Sequence, residues 1–468
     1  MNQTLIDKFC KIFIFVGFIV SIIYSSIIVS KYDKNYQTFD KRKIEHRFIK
    51  ADTEFYFLSA DNFLKKIREN DTFYNASGEY TSSYLYPKLL ALFFSTLNED
   101  IRIKSDEALI DNNEYIFKLN NGKILFLFLQ SFFFYLSLFY FFCKIKKKIH
   151  KDIYIFLILF LSIEPTIIQW HSSFLTESIF LSMLMILLSL LINDNNTNSR
   201  NFFIGLFIGL MYLQKTVVIF ITVPIAIYYF FSYENIKLAL KSISLILLGK
   251  FIILVFLGYQ NYLRSDTFYI FPWQAKFAGY YYAVDNIQSK ATKIDVNILR
   301  SEKIKKTENW IKKNNINLDL EKDRRKLVEY QNKYFTEIVK KYPLDTFRYV
   351  IYKNFQSMIL NPYEIYNFIH LDYTVDEYWK EKDFHINLIF NMFFSLIIYV
   401  ISLFGLIYSF KNFDKSILIL FLCLTVYFCL MLGWMGVSRY FLPSLVCLSP
   451  FFANGVLYLK KILKKNEN

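Results

Sequence analysis

The chain has 468 residues, 54% of them hydrophobic and 20% aromatic, with a mean hydropathy of +0.27. The apolar residues fall in unbroken runs of roughly 20, enough for a helix to cross hydrocarbon, which excludes a soluble enzyme, a coiled coil and a disordered chain. Lys and Arg number 55 against 40 Asp and Glu, a net +15. Many of these cations flank apolar runs, so membrane topology accounts for the excess and no nucleic-acid partner is expected.

Residues 9–30 form the first run, with Lys8 before it and Lys11 at its start. No small-residue cleavage site follows, so it is expected to persist as an anchor. A polar outer loop, 31–122, comes next. Within it, residues 86–97 are apolar but too few to span, which suits a re-entrant or interfacial helix. Further runs cover 123–142, 153–170 and 174–192. Residues 202–231 are too long for one span. A lysine at the bilayer centre costs about 2.5–3.5 kcal/mol, so this run is expected to be a hairpin broken at Gln214-Lys215. A span at 238–257 precedes a polar segment, and three runs follow at 386–410, 416–434 and 440–458.

The basic stretches Lys144–Lys148 and Lys460–Lys465 belong on the cytoplasmic side. About ten transmembrane helices, with both ends inside, satisfy both. The expected fold is therefore an all-α polytopic integral membrane protein in three parts. Residues 1–257 form a membrane module carrying the outer loop. Residues 258–385 form an outer-face helical segment, and 386–468 the last three spans with their basic tail. In the outer segment, Leu327, Tyr330, Tyr334, Phe335 and Ile338 recur at helical spacing, as do Phe347, Val350, Ile351, Phe355 and Met358, with Pro343 between the two sets. These helices are expected to lie against the membrane as a lid.

Cys10, Cys143, Cys423, Cys429 and Cys447 all lie in or beside apolar runs without a C-x-x-C pair. They read as small apolar residues, and the five histidines lack H-x-x-x-H spacing, so neither a disulfide framework nor a metal site is spelled out.

Four stretches carry candidate chemistry. Asp52 and Glu54 precede an amphipathic pattern of Tyr56, Ala60, Phe63, Leu64 and Ile67, expected to lie in the interface. Asp52 suits an N-cap and equally a general base at the membrane surface. Glu177 heads the run 174–192, where the helix dipole favours a carboxylate; Glu164 and His171 stand just upstream. Lys215 at the hairpin tip is either a snorkelling cation or a phosphate contact. Arg439, with Tyr440 beside it, opens the last span from the outer side, against the positive-inside trend; a guanidinium there suits phosphate.

Taken in order, Asp52-x-x-x-Tyr56-x-x-x-Ala60, Leu85-Tyr86-Pro87-Lys88-Leu89-Leu90, Leu175-Thr176-Glu177-Ser178, Gly205–Lys215 and Arg439-Tyr440-x-x-Pro443 resemble the GT-C glycosyltransferases that use polyprenyl-phosphate sugars. These include dolichyl-phosphate-mannose-type mannosyltransferases and lipid A aminoarabinose transferases. The resemblance covers residues 1–458, with lysine at 215 in place of the usual arginine and Asp-Thr-Glu in place of Asp-Glu. It implies transfer of a sugar from a polyprenyl-phosphate donor to a glycan, lipid or protein hydroxyl, with inversion. Asp52 would act as base. Lys215 and Arg439 would face the leaving phosphate, with Glu54, Glu177 and Tyr440 as further substrate contacts. No cofactor is required, and nothing supports a divalent cation. The implied location is a bacterial plasma membrane, surrounded by its lipids, with the site on the outer side. A lipid or solute transporter or flippase is the main rival, and a polysaccharide polymerase or ligase the other.

Overall fold

The structure is a computed structural model describing residues 3–36, 56–57, 59–61, 63–64, 84–97, 99, 101, 120–193, 197–265, 268–270, 279–317, 321–359, 383–431 and 441–466. Among these the regular structure is entirely helical. Helix α1 spans Gln3–Tyr36, α2 Leu85–Leu97, α3 Asn121–Ile145, α4 Lys151–Ile163, α5 Pro165–His171, α6 Thr176–Ile192 and α7 Asn198–Gln214. A 3-10 turn, Thr216–Phe220, leads to α8, Thr222–Ser232, and α9, Ile236–Ser265. The helices α10 (Val284–Thr292), α11 (Val296–Lys313), α12 (Glu321–Lys341) and α13 (Pro343–Ile359) follow. The chain then enters α14 (Asp383–Asn412), α15 (Lys415–Leu430) and α16 (Leu442–Asn466).

Among the described residues five helical stretches are long and apolar enough to cross a membrane: Gln3–Ser30, Asn121–Ile145, Ile236–Leu263, Met392–Phe410 and Leu442–Lys464. The pair α4–α5 makes a sixth if its 44° bend is counted within one span. That bend departs from the single run expected over 153–170. Pro165 lacks a donor and pushes its predecessor out of helical geometry; Glu164 accordingly sits extended, at φ −61° and ψ 119°. Its carboxylate accepts from Ile167 N and Thr166 Oγ1, both at 2.8 Å, so a buried acid caps α5.

Polar contacts give the relative directions of the helices. Near its start α1 meets the end of α3 and the start of α4, through Asp7 to Lys146 at 2.6 Å and Gln3 to Tyr154 at 2.5 Å. Further along, Ser21 meets Ser131 at 3.0 Å and Ser25 meets Ser172 at 2.6 Å. So α1 runs antiparallel to α3 and parallel to α4. The run 202–231 is broken at Lys215 into two helices, α7 and α8. Tyr228 and Tyr229 near the end of α8 donate to Leu191 O at 3.0 Å and Asn201 Oδ1 at 3.1 Å, beside the start of α7, and Lys215 lies at the turn. Helix α9 returns parallel to α7, with Gly205 against Ile246 and Gly209 against Ile253.

One cluster of buried side chains runs through α1–α9, α15 and α16. Tyr56, Phe57, Ala60 and Leu64 belong to it, each no more than 3% exposed. The helical turn after Asp52 and Glu54 therefore drives its apolar face into the protein, where the pattern alone suggested a lipid interface. The reason is aromatic packing: Tyr56 meets Tyr86, and Phe57 meets Phe94 and Phe174, edge to face.

A smaller core of Tyr280, Val284, Ile287, Ile338 and Tyr349 holds α10, α12 and α13 together, and α11 joins it through Lys303 and Asp285. Helices α12 and α13 break at Tyr342-Pro343, where the spacing put a boundary. Phe347, Ile351 and Phe355, however, are 62%, 52% and 59% exposed. They form an outward stripe rather than core. Tyr399 on α14 donates to Met358 O at 2.5 Å, fixing the end of α13 beside a long apolar helix.

Candidate functional site

Of the residues singled out in the sequence, Glu177 and Lys215 lie within the described structure and touch. Asp52, Glu54, Arg439 and Tyr440 lie outside the described residues. Lys215 Nζ reaches Glu177 Oε1 at 2.9 Å, with side chains 9% and 3% exposed. Helix α7 ends at Gln214 because Lys215 turns extended, φ −153° and ψ 119°, while its N–H still donates to Met211 O. That geometry swings the lysine off the helix axis towards the first turn of α6. Gln214 Nε2 donates to Thr176 O at 3.2 Å, and Thr176 Oγ1 donates to Glu177 Oε2 at 3.2 Å. The carboxylate is thus held on both oxygens, and the ammonium also lies 5.6 Å from the Phe180 ring centroid. A pair so removed from water is expensive to leave half-made. Lys215 is therefore a partnered buried cation and not a snorkelling one.

The turn that carries Lys215 is fastened on several sides. Tyr84 N donates to Leu213 O at 2.8 Å. Tyr427 donates to Val217 O and accepts from Phe220 N, while Lys250 donates to Ile219 O. Tyr212 donates to Ile270 O at 2.5 Å, joining the turn to the chain beyond α9.

Beside the pair lies a polar relay through the apolar interior. Tyr86 donates to Gln130 Oε1 at 3.0 Å, Gln130 Nε2 donates to Ser173 O at 3.2 Å, and His171 Nδ1 meets Ser178 Oγ at 2.8 Å. His171 is fully buried against Phe134, and its Nε2 has no hydrogen-bond partner among the described residues. Two further lysines lie nearby, Lys88 on α2 and Lys123 in the first turn of α3. Lys123, at 0% exposure, sits 5.7 Å from the Phe57 ring centroid, and Lys88 lies 3.2 Å over Tyr84. Sequence reasoning passed over Lys88, Lys123 and Gln130 as candidates. The available signal was a charged or amide side chain inside or at the lip of an apolar run, where burial needs a partner.

The arrangement can hold an anion near Lys215 in exchange for part of its bond to Glu177. Buried aromatic residues lie nearby: Tyr56 packs on Tyr86, and Phe57 on Phe174, three residues before Glu177. Among the described residues no group of three or more His, Cys, Asp or Glu is placed to hold a metal. In class, the fold is a helical protein with several helices suited to a membrane and a buried ion pair at a helical turn. No family model matches the chain, and no curated protein matches it.

Proposed function

We propose that the protein is a polytopic membrane glycosyltransferase that moves a sugar from a polyprenyl-phosphate carrier to a hydroxyl acceptor, inverting the anomeric carbon. The observation that carries this is the buried Lys215–Glu177 pair. It lies at a helix turn flanked by the aromatic residues that follow Asp52 and Glu54 in sequence, since Tyr56 packs on Tyr86, and Phe57 on Phe174 three residues before Glu177. Two motifs separated by more than 100 residues in the chain thus share one neighbourhood.

In the proposed reaction Asp52 takes the acceptor proton. The acceptor oxygen then forms its bond to the anomeric carbon as the bond from that carbon to the phosphate oxygen breaks. The phosphate leaves with the bonding pair, facing Lys215 and Arg439, whose charges stabilise it as it develops. Glu177 keeps Lys215 positioned and neutralised before the donor arrives. Glu54 and Tyr440 remain substrate contacts, and no step uses a metal. Ten membrane crossings agree with the antiparallel α1–α3 contact, the α7–α8 hairpin and the parallel α7–α9 contact. They leave Lys215 and the segment 258–385 on the outer side of a plasma membrane.

The test is release of polyprenyl phosphate from a labelled polyprenyl-phosphate hexose by membranes containing the protein. Wild type should release it. Asp52→Asn, which keeps the capping geometry, should release it about 10²–10⁴ times more slowly. Near wild-type release by Asp52→Asn would remove the assigned base.

A transporter is the second reading, favoured by the bend at Glu164 and the buried His171 within an apolar run. It predicts solute movement across proteoliposomes without consumption of carrier.

A further inference from the structure

We propose that the outer helical unit carries a cleft for one hexose-sized unit of a neutral glycan, formed by Tyr280 and Tyr281, the middle of α11, and Gln331 on α12. The cavity measures about 290 Å³ and is bordered by Tyr281, Arg300, Lys303, Thr307, Glu308 and Gln331, with Tyr280 and Ile304 completing it. It lies outside the Lys215–Glu177 neighbourhood, in a unit with its own core.

The size excludes the larger occupants. Small-molecule sites start near 300 Å³, so the cleft admits a single ring. A helix with its side chains is about 10–12 Å across and does not fit. The described residues offer no strand edge to which an extended peptide could add.

The lining chemistry fits a sugar. Tyr281 is 52% exposed and offers an aromatic face to the C–H side of a pyranose, while its hydroxyl is fixed by Gln331 Nε2 at 3.2 Å. Thr307 Oγ1 and the Tyr280 hydroxyl stand 2.5 Å apart, a paired donor and acceptor at the wall. Lys303 Nζ is held by Asp285 Oδ2 at 2.8 Å and by Tyr280 O at 2.9 Å, and Arg300 Nε donates to the same carboxylate oxygen at 3.4 Å. Asp285, 2% exposed, does not line the cleft and holds both cations from behind its wall. Two cations, Arg300 and Lys303, balance Asp285 and Glu308. A cleft with mixed donors and acceptors and no net charge matches a neutral polyol rather than a phosphate or a uronate. Because the polar groups are already oriented by one another, little ordering accompanies binding.

Binding of a neutral glycan stands on the cleft alone. Its role as acceptor holder, presenting a hydroxyl to the membrane site, rests on the transferase reading above. The test uses full-length protein in lipid nanodiscs on an array of neutral and acidic oligosaccharides, with a peptide library in parallel. Titration calorimetry then follows on the captured glycan. Capture of hexose-containing neutral oligosaccharides is expected. Tyr281→Ala should weaken that binding at least tenfold and Glu308→Gln severalfold. Should Tyr281→Ala fail to fold, Glu308→Gln, a surface change, decides the matter. The proposal is overturned if no glycan is captured, if only acidic glycans or only peptides are captured, or if the cleft variants that fold bind as wild type. Glycan binding without carrier turnover would uphold the cleft and count against the transferase, so the two failures are distinguishable.

Discussion

Lys215 and Glu177 meet across 38 residues of chain, and their burial sets what substitution does. Lys215→Ala should leave Glu177 unpaired inside the protein and destabilise it by about 3–5 kcal/mol, read as a lowered unfolding midpoint in detergent. Lys215→Met with Glu177→Leu should recover most of that loss, because two apolar side chains can replace a buried pair. Carrier binding should still weaken in the double variant, by about 1.5–3 kcal/mol for one charge-assisted contact. If the refolded double variant binds polyprenyl phosphate as tightly as wild type, the pair is structural only. Asp414, outside the apolar runs, gives a pH signature. Its carboxylate accepts from the Ser416 hydroxyl and from Ser416 N at 2.8 Å, capping α15. These bonds, the hydroxyl first, hold it below the usual carboxylate range despite opposing desolvation. A lowered folded-state pKa means the contribution is full above the unfolded value and is lost as pH falls through the folded one. Asp414→Asn should cap nearly as well yet flatten this part of the acid-side decline in thermal midpoint. An unchanged acid limb would assign that decline to other carboxylates.

At the level of elements, the closest helix crossings rest on glycine. A Cβ on Gly405 of α14 would overlap the carbonyl oxygen of Phe451 on α16, and one on Gly455 would overlap Ile401 O. Gly205 of α7 and Gly249 of α9 meet Ile246 and Phe202 carbonyls in the same way. Small residues let backbones approach and packing drive association where no hydrophobic force separates helix from lipid. Gly405→Ala should therefore cost about 1–3 kcal/mol by thermal unfolding, with a larger loss for Gly405→Leu. An unaltered midpoint for both would mean that α14 and α16 are not held at this crossing. The stripe of Phe347, Ile351 and Phe355 on α13 has the opposite character, apolar and outward, and suits an interfacial position beside α14.

For the whole molecule, the proposed ten crossings make a vectorial prediction. Ser301→Cys on the outer unit should react with a membrane-impermeant maleimide in intact cells. Lys147→Cys, in the basic turn after α3, should react only after permeabilisation. The unsubstituted protein, with its free cysteines, sets the background. Labelling of both sites from the same side would rule out ten crossings and with them the common outer face.

The sequence by itself determined the helical class, the positions of the apolar runs and the break at Gln214-Lys215, because each depends on local terms: run length, charge cost and periodicity. The Tyr342-Pro343 boundary was legible for the same reason. Only the tertiary structure decided that Lys215 pairs with Glu177, that Phe57 packs against Phe174, and that Glu164 caps a bent helix. The pairing joins α7 to α6 across the bundle, and no spacing rule along one helix encodes it. The burial of Tyr56 and Phe57 was hidden likewise: an amphipathic face is the same in sequence whether lipid or protein covers it, and here the partner rings come from α2 and the turn before α6. The Asp285–Lys303 network was equally invisible, since each residue alone is an ordinary surface charge and becomes a buried pair only when α10 and α11 pack.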